Sequence, residues 1–137
     1  MSRATSAPCP CGRLSTQKKP LAYLDCCCRY LDHFADLPAP DAESLMRSRY
    51  SAFVQGRADY LLATWHISFR PASVEFDPGV KWLGLQVREH TLVDATHAEV
   101  EFVARQKPAI GPALRLHERS RFTRENDRWY YLDGDMG

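Results

Sequence analysis

All five cysteines of the chain lie between Cys9 and Cys28, and the 109 residues from Arg29 to Gly137 contain none. A segment of about 30 residues cannot build a sufficient apolar core, so a cluster of this kind calls for a crosslink. The choice lies between disulfides and a metal ion, and the sequence favours the ion. Cys26, Cys27 and Cys28 are consecutive, and immediate neighbours rarely reach disulfide geometry. No apolar run approaches the ~20 residues of a membrane span. Met1 to Pro8 lacks the apolar stretch of a signal peptide. The expected location is therefore the cytoplasm, where reduced thiols take metals rather than pair.

A closed shell of four thiolates is the common structural solution for zinc. Cys9-Pro10-Cys11-Gly12 reads as a tight turn, with proline fixing one φ and glycine permitting a positive one. Residues 13–20 are polar and end in Pro20, which makes them a loop. From Leu21 to Phe34, apolar residues at Tyr23, Leu24, Cys27, Leu31 and Phe34 have roughly helical spacing, predicting a short helix that carries the second cysteine group. The expected ligands of one structural zinc ion are Cys9, Cys11, Cys26 and Cys27, with Cys28 as the spare and substitute. Adjacent residues diverge by about 100° on a helix, so an adjacent pair requires the ion at the helix start. On that geometry alone Cys27 with Cys28 serves nearly as well. His33 is a more distant candidate and reads as a surface residue.

Leu37-Pro38-Ala39-Pro40 is a linker, dividing a metal module over residues 1–36 from a larger domain over 41–137. Asp41 is a helix N-cap with Glu43 in the first turn, Gly56 is the stop, and Leu45, Met46, Tyr50, Phe53 and Val54 form the buried side. A second helix covers residues 58–65. Strands follow at 80–90, with Leu83, Leu85 and Val87 on one face, and at 97–106. Two more, at 114–124 and 128–132, pair across Glu125-Asn126-Asp127. Helices first and antiparallel strands last make the chain α+β.

The formal net charge is +1, so no overall polyelectrolyte partner is implied. Residues 1–33 hold five basic against two acidic residues, a balance of +3 that reads first as a solvated loop keeping a short segment soluble and second as a mark for an acidic partner of the head. Arg47, Arg49, Arg57 and Arg70 lie near Tyr50, Phe53 and Trp65, but aromatics at helical spacing belong to a core and the arginines to a solvated or ion-paired face, which argues against nucleic acid.

Cys9-Pro10-Cys11-Gly12 with Tyr23-Leu24-Asp25-Cys26-Cys27 resembles the SEC-C motif at the C-terminus of the SecA translocation ATPase. The run Ala42 to Phe53, Asp59-Tyr60-Leu61, Thr64-Trp65-His66, Glu118 to Phe122 and Trp129 to Gly134 resemble the YchJ-like family of small bacterial proteins. The resemblance covers nearly the whole chain. It implies a SEC-C zinc module followed by a nuclear-transport-factor-2-like cone, in which helices pack on a curved antiparallel sheet. Tyr23, three residues before Cys26, favours the Cys26/Cys27 pair. The chain departs from the pattern in a longer inter-cysteine loop, Ser15 to Leu21, and in Cys28, where the family has glycine.

The resemblance brings no established activity, and two functions are expected from different classes. In the first, the zinc module docks on a protein or ribosomal partner, as the SecA module is thought to do, while the cone binds a small ligand or forms a homodimer. In the second, the cone is a small-molecule lyase, isomerase or hydrolase. Leu116, Glu118, Ser120 and Phe122 share one strand face, so Glu118 is a candidate acid/base if that face is inward. Its competing reading is an ion pair with Arg47, Arg49 or Arg105, or a solvent-facing position. His66 is the other candidate, in a dyad with Glu118 or Asp133, against a simpler role capping a helix end. Asp59 and Ser120 complete the polar residues of interest. No glycine-rich phosphate loop, Gly-x-Ser-x-Gly elbow or His-Glu-x-x-His motif is present.

Overall fold

A computed structural model describes residues 7–136. The second cysteine group sits at a break and not within one helix. A 3-10 turn, Tyr23–Asp25, is followed by Cys26 at φ −130° and ψ −115°, and a one-turn helix α1, Cys28–Leu31, begins after Cys27. The single short helix expected over this stretch is therefore two pieces. The break lets two adjacent cysteines aim at one point, which a continuous helix forbids.

Helix α2, Ala42–Gln55, has the ends its sequence specifies. The Asp41 carboxylate accepts from the Ser44 N–H at 2.7 Å. Gly56, at φ 70°, closes the last turn by donating to the Ala52 and Phe53 carbonyls. Helix α3, Ala58–Ala63, ends two residues earlier than expected. Beyond it Trp65 joins the sheet, where His66 N–H donates to Tyr131 and Tyr131 N–H donates to Thr64, both at 2.8 Å.

Strands β1 (Lys81–Asp94), β2 (His97–Lys107), β3 (Leu114–Glu125) and β4 (Arg128–Met136) form one antiparallel sheet in sequential order. The β3–β4 turn carries Asn126 and Asp127 at φ 52° and 62°, the left-handed pair that a two-residue hairpin needs. Strands β1 and β4 run four residues past their expected ends, since hairpin pairing continues through Asp94 and Met136. Three register shifts in β1 add curvature. One of them, between Trp82 and Gly84, turns Leu83 outward, 45% exposed, and puts Trp82 with Leu85 and Val87 against the core. The expected face of Leu83, Leu85 and Val87 is thus broken by a bulge.

Across the concave face lies α2, with Leu45, Met46, Tyr50 and Ala52 in one core with Val100, Phe102 and Phe122. The convex face is ionic, with Arg119 bonded to Glu89 and Glu99 and Arg121 to Asp133 and Asp135. The result is the α+β order expected from the sequence, in the cone that the family resemblance implies. No helix among the described residues is long and apolar enough to cross a membrane.

Candidate metal centre and cone cavity

The tight turn at Cys9–Gly12 closes through a Gly12 N–H to Cys9 carbonyl bond of 3.1 Å, with Gly12 at φ +74°. Cys9 N–H donates to the Leu21 carbonyl at 2.9 Å, tying that turn to the chain entering the second cysteine group. The sulfurs of Cys9, Cys11, Cys26 and Cys27 all lie within 4.8 Å of one another, and all four residues are buried. Cys11 and Cys26 are 3.5 Å apart, and Cys26 and Cys27 4.0 Å. These four buried cysteines can hold one metal ion.

Without an ion the sulfurs would share protons. Bonds from neighbouring sulfurs hold the Cys9 and Cys11 thiols down. Their negative partners, with burial, push Cys26 and Cys27 up. Cys28 lies outside the cluster. Its S–H donates to the Asp32 carboxylate at 3.1 Å, and burial followed by Asp32 pushes it up to about 11. The expected spare cysteine is thus occupied elsewhere. His33 is not part of the four-sulfur group.

The cluster is not a detached appendage. Cys9, Cys11, Cys26 and Cys27 belong to the same core as α2. Arg47 donates to the Cys11 carbonyl at 3.0 Å and Arg13 to Ser44 Oγ at 2.8 Å. Arg57 reaches the Leu31 carbonyl at 3.0 Å, and Arg128, from β4, reaches Phe34 at 2.8 Å. No local pattern announced these contacts, because each joins residues far apart in sequence.

Between α2 and the concave sheet face lies a cavity of about 220 Å³. Leu116, Glu118, Ser120 and Phe122 all line it, so the alternating face of β3 is the inner one. Glu118 accepts from the Ser120 hydroxyl at 2.5 Å and from the Tyr131 hydroxyl at 3.1 Å, both on Oε2. It pairs with none of Arg47, Arg49 or Arg105 within 4 Å; Arg47 pairs with Glu43 instead. Burial, reinforced by Glu118, pushes the Tyr131 phenol up.

His66 is elsewhere. Its ring bonds Ser68 Oγ at 2.6 Å and Glu125 at 2.7 Å, outside the cavity. Asp133 pairs with Arg121 on the convex face, and Asp59 pairs with Arg57. The expected dyads of His66 with Glu118 or Asp133 therefore do not form. Sequence order put these residues on neighbouring segments but could not show that the chain turns His66 toward the β3–β4 hairpin.

The residue missed was Arg49, read as part of a solvated or ion-paired face. It is 6% exposed and lines the cavity. Its guanidinium stands 4.5 Å from the Tyr131 ring centre and 5.2 Å from that of Trp65. Nη1 donates to the Leu61 carbonyl at 2.8 Å and to Thr64 Oγ1 at 2.7 Å. Burial lowers its pKa to about 10, so the charge persists at neutral pH. The available signal was spacing, since Arg49 follows Leu45 and Met46 by four and three residues on the apolar side of α2.

Gly134 stands opposite Ser120 on β4, and a Cβ there would overlap the Glu118 carboxylate. Gly134→Ala is therefore expected to force that carboxylate away from Ser120 and Tyr131. The cost should be about 1–3 kcal/mol, the usual range for lost hydrogen bonds to a part-buried carboxylate. Urea unfolding gives the stability change, and titration of Tyr131 gives the local one. A phenol freed from Glu118 titrates at lower pH, because an adjacent negative charge no longer opposes its ionisation.

Residues 41–134 match the family described as the YchJ middle NTF2-like domain. A UPF0225 protein of Polaromonas sp. (strain JS666) is 73% identical over 129 residues, covering 94% of this chain and 93% of that protein. Two solved structures are similar at 31% identity. One is the solution structure of a SEC-C motif containing protein from Rhodopseudomonas palustris, with TM-score 0.78, covering 94% of this chain and 98% of that one. The other is the crystal structure of a SEC-C motif containing protein from Psychrobacter arcticus, with TM-score 0.79, covering 99% of this chain and 86% of that one.

Proposed function

The chain belongs to the UPF0225 family, with the YchJ middle NTF2-like domain as its cone, and from that premise we propose that it is a zinc-stapled binding protein of the cytoplasm. One structural zinc held by Cys9, Cys11, Cys26 and Cys27 fixes the basic head on the cone, and the head docks on an acidic protein or ribosomal surface. The observation that carries the zinc reading is the compact, buried group of four sulfurs. Sulfurs set tetrahedrally about 2.3 Å from one ion lie about 3.8 Å apart; the Cys11–Cys26 and Cys26–Cys27 spacings of 3.5 Å and 4.0 Å bracket that value, and every pair lies within 4.8 Å. Four protein ligands leave no open position for water, so the ion's contribution is to folding rather than to catalysis.

Docking is supported by the head's charge and surface. Its balance is +3, and Lys18, Lys19, Leu14 and Leu24 are exposed around the inter-cysteine loop and the following turn. The enzyme reading keeps only Glu118 in the cavity, since His66 is bound to Glu125.

Two measurements test this reading. Native mass spectrometry of protein purified without added metal should find one zinc per chain; another metal or none rejects the zinc assignment. Purified ribosomes should co-sediment the chain at low salt, and Lys18→Glu with Lys19→Glu should release it. Failure of the wild-type chain to sediment with them, at salt low enough to retain weak ionic contacts, removes the ribosome as partner.

A further inference from the structure

The cone cavity contains two groups of opposite charge, each with polar atoms left over. Arg49 commits Nη1 to Leu61 and Thr64, while its Nε and Nη2 have no partner among the described residues. Glu118 commits Oε2 to Ser120 and Tyr131, and its Oε1 likewise has none. No buried side-chain polar atom among the described residues is left without a partner, so these remaining atoms keep access to open space. Both residues line the cavity, whose other walls are mainly aromatic and aliphatic. At about 220 Å³, it exceeds the roughly 150 Å³ of an apolar cavity that accepts benzene.

The two charges decide what such a cavity takes. Arg49 and Glu118 balance, so a ligand bringing one net charge would match one group and oppose the other. A purely apolar ligand would fill the space and strand both sets of polar atoms from water, which is costly. A neutral ligand with an acceptor and a donor satisfies both, and a flat ring fits beside Trp65, Trp82 and Phe102. We propose that the cone cavity is a binding site for a small, flat, neutral molecule of the aromatic carboxamide class. Its carbonyl accepts from the open edge of Arg49, and its N–H donates to Glu118. The site is independent of the zinc centre and of any partner of the head.

The test uses the whole chain and four probes of similar size: benzamide, benzoate, benzylamine and toluene. Two of the three tryptophans, Trp65 and Trp82, line the cavity and Trp129 does not, so the indole N–H signals in a proton–nitrogen correlation spectrum report the site with an internal control. Benzamide should shift Trp65 and Trp82, leave Trp129 in place, and bind roughly tenfold or more tightly than each other probe. Glu118→Leu should weaken benzamide and turn the preference to benzoate, because Arg49 then stands without its opposing charge. Ala104→Leu, which fills the cavity without touching either charge, should weaken benzamide and toluene alike. The proposal is overturned if benzoate or benzylamine binds most tightly, if toluene matches benzamide, or if no probe shifts the two cavity indoles.

Discussion

On the proposed zinc assignment, Cys11→Ser is expected to abolish metal binding and destabilise the whole protein, not the head alone. Cys11 is fully buried and its sulfur lies 3.5 Å from that of Cys26. Serine removes one of four ligands and leaves three thiols without the ion that would hold them together. Metal binding in such sites is largely folding free energy, and loss of a structural metal belongs with the most severe single changes, about 4–5 kcal/mol. For a chain of this size that corresponds to a fall in melting temperature of about 15 °C. A metal module divided from the cone by the linker at residues 37–40 would unfold alone and leave the domain after residue 40 intact. The structure argues otherwise, because the cysteines share a core with Leu45, Met46, Tyr50 and Ala52 of α2. Calorimetry with metal analysis checks this: one metal-free transition at lower temperature supports the shared core. An unchanged main transition preceded by a small one would show that the head melts separately. A variant that still holds one ion tightly would mean that Cys11 is not a ligand.

Phe122→Ala is the second large effect, at the opposite side of the core. Phe122 is 1% exposed, sits on the inner face of β3, and meets the Tyr131 ring edge-on at 5.7 Å between centres. Its removal loses the transfer energy of a phenyl ring and enlarges a cavity already present beside it. The surrounding sheet cannot collapse freely, so the cost should be about 3–5 kcal/mol. Urea unfolding should show a lower midpoint with an unchanged slope, the pattern of a native state weakened without change in the surface exposed. A loss below about 1 kcal/mol would mean that α2 moves in to close the space. Because the change leaves the cysteines intact, metal content should stay at the wild-type level, which separates this effect from that of Cys11→Ser.

Local chemistry was legible wherever one stretch of chain contains its own reason. Asp41 and Gly56 mark α2 because an N-cap acceptor and a left-handed stop act within one turn. That Leu116, Glu118, Ser120 and Phe122 share one face follows from the two-residue period of a strand, and the structure turns that face inward. The four clustered cysteines could be chosen from five because the resemblance to the SEC-C motif, with Tyr23 three residues before Cys26, favoured Cys26 over Cys28. Harder were features in which an irregularity overrides the period: the break at Cys26, which splits one expected helix, and the bulge after Trp82, which turns Leu83 out.

The sequence by itself determined the α+β order, the ends of α2, which residues of β3 share a face and the residue types from which a metal shell is made. Each follows from interactions over a few residues, whose geometry a short peptide already imposes. Tertiary structure alone decided that His66 faces Glu125 instead of Glu118, that Arg49 is buried between Trp65 and Tyr131, and that the cysteine cluster rests on α2. Those outcomes depend on where distant segments meet. The energy of a buried cation or a shared core is set by its neighbours in space, which the order of residues does not specify locally.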